Sequence, residues 1–329
     1  MPATAWNSNR RHFLRLVAGA VAGMPLARRA GAQEASAAGP PPGTFSIQRL
    51  GTDHDNVPSV ISGVGGNVVV LGDATLLKEA TGQLLVNGGS AAKGAGLFQW
   101  LTTGKSGRSI RYLFNTDWHP EHIGLNLAVA QSGGQIFAHE FTRQYLAIDR
   151  YVEWQNAKHT ALAPKALPTQ TFTKPGKMTF AGQTIEYGPL GQAHTDGDIY
   201  VFFRDSNMLV AGDVMIAGKY PIADYTSGGW LGGLITATKT LLDLAGPDTI
   251  IVPGDGPLQT RADLQAQYDM LSASRDAFVK MMRQGMSADE MIAAGATKAF
   301  DAKWGDPKLF VKTSYRGLWL HVREVGGIV

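Results

Sequence analysis

Four short clusters of Asp, Glu and His stand in this 329-residue chain, each beside an apolar run of strand character. They are Asn115-Thr116-Asp117-Trp118-His119-Pro120-Glu121-His122-Ile123-Gly124, Gly191-Gln192-Ala193-His194-Thr195-Asp196-Gly197-Asp198, Ala211-Gly212-Asp213 and Pro253-Gly254-Asp255-Gly256-Pro257. Functional groups of α/β sheets collect at strand ends, and imidazoles with carboxylates are the side chains that hold divalent metals and move protons. The chain has no cysteine. That excludes disulfides, Cys nucleophiles, thiolate metal sites and Cys-ligated iron–sulfur clusters, so any metal is held by nitrogen and oxygen.

The elements that must present these clusters follow from periodicity. Short β-branched and aliphatic runs bounded by Gly, Asn and Asp predict strands over residues 45–50, 66–71, 83–87 and 110–114. A helix is expected over residues 91–101, with Ala91, Ala95, Phe98 and Leu101 on one face. A hairpin over 178–187, strands over 199–203, 208–211 and 249–252, and a helix over 231–244 follow. The rest reads as helical, over 261–283, 288–294 and 307–323. Helices alternating with strands, with hairpins among them, point to mixed sheets covered by helices.

The net charge is +3, but residues 1–32 hold Arg10, Arg11, Arg15, Arg28 and Arg29 and no acid, so the remainder carries −2. A nucleic-acid footprint is therefore not expected. The start of the chain reads as an address: a basic region, an apolar run over residues 16–26 too short to span a bilayer comfortably, then Ala30-Gly31-Ala32. Arg10-Arg11 followed by Phe13-Leu14 resembles a twin-arginine signal. The expectation is a signal peptide over 1–32, an Ala/Gly/Pro-rich flexible linker over 33–44, and one domain over 45–329 with a helical C-terminal part. The mature protein, starting near Gln33, is then periplasmic and not membrane-bound.

With these clusters in this order, the chain resembles the metallo-β-lactamase-fold hydrolase superfamily. Its pattern is His-x-His-x-Asp-His after a strand, Gly-x-x-His-Thr-x-Gly, an Asp after the next apolar strand, and a Pro-Gly-His-Gly-Pro turn. Flanking residues agree too, including Gly218-Lys219-Tyr220-Pro221 and Trp304-Gly305. The resemblance implies an α/β architecture of the αββα sandwich type. Carried over position by position, it implies that Asp117, His119 and His194 hold one metal, Glu121, His122 and Asp255 another, and that Asp213 bridges them. Asp117, Glu121 and Asp255 replace the family's His, Asp and His, and Asn87 stands where relatives carry an Asp near the site.

These substitutions change the electrostatics. Two divalent ions and one hydroxide on the family's five imidazoles and two carboxylates sum to +1, whereas three imidazoles and four carboxylates here give −1. Extra anionic ligands weaken the acidity of a bound water and favour harder ions. The resemblance implies one or two divalent ions, zinc first, with manganese or iron as alternatives. It further implies hydrolysis of a small-molecule β-lactam, lactone, thioester or ester by a metal-bound hydroxide, with Glu121 or Asp213 orienting the nucleophile and shuttling its proton. The rival readings are a sulfur-dioxygenase-like enzyme with one iron and a non-catalytic metal- or ligand-binding protein. His54, His139, His159 and His321 read as structural, Asp196 and Asp198 as turn or capping residues. Tyr220, Tyr225 and Trp230 are expected to form an apolar wall over the site. The sequence leaves the oligomeric state open.

Overall fold

The computed structural model describes residues 45–50, 56–72, 82–103 and 109–327. The expected signal peptide and linker, and His54, lie outside the described residues. The first sheet opens with β1 (Ser46–Arg49), β2 (Ser59–Ser62), β3 (Val68–Leu71) and β4 (Gln83–Val86), paired antiparallel. It continues through the parallel strands β5 (Ile110–Phe114) and β6 (Gln135–His139). A small separate hairpin, β7 (Arg150–Val152) with β8 (Ala157–His159), then leaves the sheet before β9 (Gln170–Phe172) closes its edge. The second sheet runs β10 (Gly176–Phe180), β11 (Gln183–Gly191), β12 (Asp198–Phe203), β13 (Met208–Ile216), β14 (Ile250–Asp255), antiparallel except for the last pair.

The two sheets pack face to face. Val69, Leu71, Leu84, Val86 and Phe114 of the first meet Ile185, Ile199, Val201, Phe203, Val210 and Val252 of the second in one buried cluster. Alternation along each strand sends the other set of side chains outward, where helices must cover them. On the first sheet, α1 (Ala91–Thr102) and α2 (Asn126–Gln131) contribute Leu97, Leu101 and Val129 to a cluster with Val68, Val70, Leu85 and Leu113. A short α3 (Glu140–Leu146) follows β6. On the second sheet, α4 (Leu231–Leu244), α5 (Arg261–Arg283), α6 (Ala288–Ala293), α7 (Asp301–Trp304) and α8 (Lys308–Leu320) build the largest core cluster. This is the expected αββα sandwich. No helix among the described residues is long and apolar enough to cross a membrane.

Long periodic elements match the sequence reading, because many apolar positions vote for one face. α4 and α5 fall over residues 231–244 and 261–283 as expected, and α5 is stopped at its start by a capping box between Thr260 and Asp263. The reading gave no range for β2, the β7–β8 hairpin or β9, all three or four residues long. Runs that short carry too few turns of either period to distinguish strand from loop.

One buried side chain ties the sheets together beneath the site. Asn67, just before β3, donates through Nδ2 to the carbonyl oxygens of Pro253 (3.0 Å) and Gly256 (2.8 Å). Its Oδ1 accepts from Ser62 (2.7 Å), and its backbone N–H bonds Gly254 O at 2.7 Å. The turn after β14 is thus anchored on the opposite sheet.

Candidate metal centre

The loop after β5 carries four of the expected ligands and is held by a buried polar network. Asn87 adopts a left-handed φ of 66° at the end of β4. Its Oδ1 accepts from Thr116 N and Thr116 Oγ1, both at 3.0 Å. This amide braces the residue beside Asp117. Asp117 in turn accepts from His119 N at 2.7 Å, folding the Asp-Trp-His segment into a tight turn. Asn115 and Asn126 bond each other reciprocally, and Asn115 also reaches His122 O (3.2 Å).

His194 follows β11 and is fixed from two sides. Asp198 Oδ2 accepts from His194 N at 2.6 Å and from Thr195 N at 3.0 Å, the turn role expected of Asp198. His194 Nδ1 donates to the Ile222 carbonyl at 2.7 Å. That leaves its Nε2 as the nitrogen directed at Asp213. Asp213 lies inside β13, where the parallel register with β14 slips between Gly212 and Ile216.

These side chains converge. Asp117, His194 and Asp213 offer ligand atoms within 4.8 Å of one another, and so do Glu121, His122 and Asp213, so Asp213 belongs to both groups. His122 Nε2 is 3.0 Å from Asp213 Oδ1 and 3.3 Å from Asp117 Oδ2, while His194 Nε2 is 3.8 Å from Asp213 Oδ2. Both ring nitrogens of His122 and Nε2 of His194 are buried without a hydrogen-bond partner. Buried polar atoms are almost always satisfied. The Nε2 atoms of His122 and His194 face Asp213 without a well-formed hydrogen bond, as metal ligands would, and the residues fit a divalent ion held by nitrogen and oxygen.

The electrostatics agree. Burial alone would lower the pKa of His122, yet Asp117, Asp213 and Glu121 raise it to about 10. His194 is raised to about 9 against the same burial, by Asp213, Asp198, Asp117 and the Ile222 carbonyl. Asp213 is held well below the usual carboxylate range despite its burial, by His122, His194 and His119. Burial pushes Asp198 up to about 7 against the pull of His194. The carboxylates around the rings of His122 and His194 outweigh the effect of burial and favour positive charge at the cluster.

Two expected ligands stand outside these groups. His119 is buried and lies ring to ring with His194 at 4.5 Å, but its Nε2 is 3.3 Å from Asp224 Oδ2. Asp255, at the end of β14, is half-exposed and pairs with Lys219 Nζ at 3.3 Å. Both still line the cavity over the centre, which has a volume of about 220 Å³. Its other polar walls are Glu121, His194, Asp213 and Lys219, and its apolar ones are Trp154, Ile216 and Ile222.

The expected apolar wall is corrected. Tyr220 stacks on Phe310 in the helical layer and bonds Asp301, Tyr225 bonds Glu153, and Trp230 stacks on His321 at 4.3 Å. Trp154, at the tip of the β7–β8 hairpin, takes the wall position instead, and nothing in its local sequence marks it. Asp224 was also missed. Burial would raise it, but hydrogen bonds from His119, Ser227 and Thr226 hold it well below the ordinary range. His139 caps α3 by accepting from Phe141 N, a structural role as expected.

A two-sheet sandwich covered by helices, with nitrogen and oxygen donors gathered along one edge, defines the class of fold. The metallo-beta-lactamase superfamily model matches residues 67–255, and the chain belongs to that superfamily. Among solved structures it is similar to a metallo-beta-lactamase from Pontibacter korlensis, with a TM-score of 0.54 and 18% identity over 69% of this chain and 99% of that one. The DIM-1 metallo-beta-lactamase gives 0.52 and 16% over 69% and 97%. A stereoselective inverting sec-alkylsulfatase, Pisa1 from Pseudomonas sp., gives 0.61 and 14%, covering 83% of this chain and 50% of that one. Likeness at these identities establishes the fold. No curated protein matches the chain by sequence.

Proposed function

We propose that this chain is an exported, metal-dependent hydrolase of small molecules, with a β-lactam, lactone, thioester or other ester as substrate. The observation that carries the reading is Asp213, shared between two groups of nitrogen and oxygen donors beside three unpartnered imidazole nitrogens at the base of a cavity. Asp117, His194, Asp213, Glu121 and His122 would hold the metal, with His119 and Asp255 on the same cavity wall. When bound, a divalent ion supplies Lewis acidity for the electrophile and lowers the pKa of a water. Glu121, only partly buried, has a carboxylate at the cavity wall to orient that water and take its proton. Trp154, Ile216 and Ile222 give the cavity its apolar walls. The broad overlap with the sec-alkylsulfatase adds alkyl sulfates to the substrates worth testing.

The test is to strip the purified protein with a chelator and refill it with zinc, manganese or iron. Each form is then assayed on a β-lactam, a lactone, a thioester, a nitrophenyl ester and an alkyl sulfate. Metal-dependent turnover of at least one is expected. Oxygen uptake with a persulfide by the iron form, with no hydrolysis, would establish the dioxygenase reading. Silence of every loaded form would favour a non-catalytic binding protein.

Export rests on the paired arginines. Replacing Arg10 and Arg11 by Lys should leave the precursor in the cytoplasm, and continued secretion of the double variant would overturn the twin-arginine assignment.

A further inference from the structure

The β7–β8 hairpin belongs to neither large sheet, since its two strands pair only with each other. It is nevertheless tied down at both ends. At its base the Arg150 guanidinium donates to Thr226 O (2.7 Å) and Ser227 Oγ (3.0 Å), and it lies over the rings of Tyr145 (3.8 Å) and Trp118 (4.9 Å). At its tip a single tight helical turn over Glu153–Gln155 closes on Asn156, whose φ of 49° reverses the chain. There Glu153 Oε2 accepts from the Tyr225 hydroxyl at 3.0 Å, and Trp154 Nε1 donates to Asp224 Oδ1 at 2.9 Å. These hydrogen-bond partners all fall within residues 224–227, so base and tip are held by one short segment.

Trp154 is thereby a fixed wall of the cavity over the centre. Its ring is nearly parallel to that of His119, 6.0 Å away at 25°, and with Ile216 and Ile222 it makes up the apolar side. None of the three is free to retreat. Trp154 is bonded to a fully buried carboxylate, the Ile222 carbonyl accepts from His194 Nδ1 at 2.7 Å, and Ile216 is part of β13. The polar side is the open one, since the Lys219 and Asp255 side chains there are 67% and 53% exposed. A leaving group must escape to solvent, which assigns it to the open side and the acyl group to the apolar one.

The walls also set a size. The cavity holds about 220 Å³, below the roughly 300–1,000 Å³ of clefts that enclose drug-sized ligands. At about 30 Å³ for each water-sized group, it takes roughly seven non-hydrogen atoms, and the reacting carboxyl group leaves about four of these for the chain beyond it.

We propose that Trp154 is a specificity-determining residue, selecting esters and thioesters of short apolar acyl groups over long-chain ones and over β-lactams with bulky side chains. This rests on reading the cavity as a hydrolase site. Trp154→Ala removes the wall, and Trp154→Phe keeps most of it without the bond to Asp224. The metal-loaded proteins are assayed on the nitrophenyl esters of acetate, butyrate, hexanoate and octanoate and on a β-lactam. Calorimetry with butyrate and octanoate gives a readout apart from turnover.

In the wild type kcat/KM should rise about fourfold per methylene from acetyl to butyryl, and the octanoyl ester should be at least about tenfold poorer than the best of the series. Trp154→Ala should prefer octanoyl, mainly through KM, and should bind octanoate more tightly than butyrate, the reverse of wild type. Trp154→Phe should keep the short-chain preference. A merely structural role for Trp154 would lower kcat at every chain length alike and leave the optimum in place. A wild type that takes octanoyl as well as butyryl would overturn the proposal, and so would a folded Trp154→Ala protein with an unchanged optimum. Turnover of the β-lactam without any ester would overturn the acyl assignment and leave the hydrolase reading standing, whereas silence of the loaded wild type on every substrate would remove that reading and this proposal with it.

Discussion

Asp213→Asn should cost more metal affinity than any other single change at the centre, more than about 100-fold, since even outer partners of ligands are worth about 10–100-fold. Asp213 is the one residue common to both ligand groups. The amide keeps its volume but leaves a neutral oxygen for one donor group and an N–H for the other. Elemental analysis after dialysis, with turnover on whichever substrate the assay identifies, measures the loss. A folded variant with full metal content would remove Asp213 from the coordination sphere.

The metal-free protein gives a second check. His122 has its folded pKa raised to about 10, so its contribution to stability is complete below its unfolded value near 6.5 and is lost as pH rises through about 10. Metal-free wild type should therefore lose stability across that window. Asp213→Asn, with one of the responsible charges removed, should show a shallower decline.

Gly254→Ala should reproduce much of the Asp213 phenotype without touching a ligand. Gly254 is buried in β14, and its backbone does not need a positive φ. Space is the obstacle: a Cβ there would stand 1.8 Å from Asp213 Oδ1 and 3.0 Å from the carbonyl carbon of Gly212. Either the carboxylate swings out of both donor groups or β13 and β14 move apart. Overpacking of this kind costs about 1–3 kcal/mol, measurable as a lower denaturant midpoint, and metal affinity should fall with it. If Gly254→Ala binds metal like wild type, Asp213 does not occupy the position described.

The chemistry was more legible than its support. Asp117, Glu121 and His122 sit in one loop whose residue types announce themselves, while His194 just after β11 and Asp213 within β13 stand beside clear apolar runs. Asp224 is a lone acid in Pro221-Ile222-Ala223-Asp224, and Trp154 a lone aromatic in a hairpin too short to show a period. Their importance arises from a contact across 70 residues of chain, which no local pattern encodes. Asp255 shows the opposite difficulty. Its turn was recognisable, but its partner depends on where Lys219 lands after the register slip in β13, and that is a property of the pairing.

The parallel union of β13 with β14 also governs when the centre can exist. These strands are joined through α4, and no hairpin brings them together, so Asp213 is backed by Gly254 only after a long crossover has closed. Closure entropy must be met before such contacts return any stabilisation, which places them late along the folding route. Interactions absent from the folding transition state act on the unfolding rate. An ion resting on Asp213 would therefore prolong the life of the native molecule while leaving the speed at which it forms nearly unchanged.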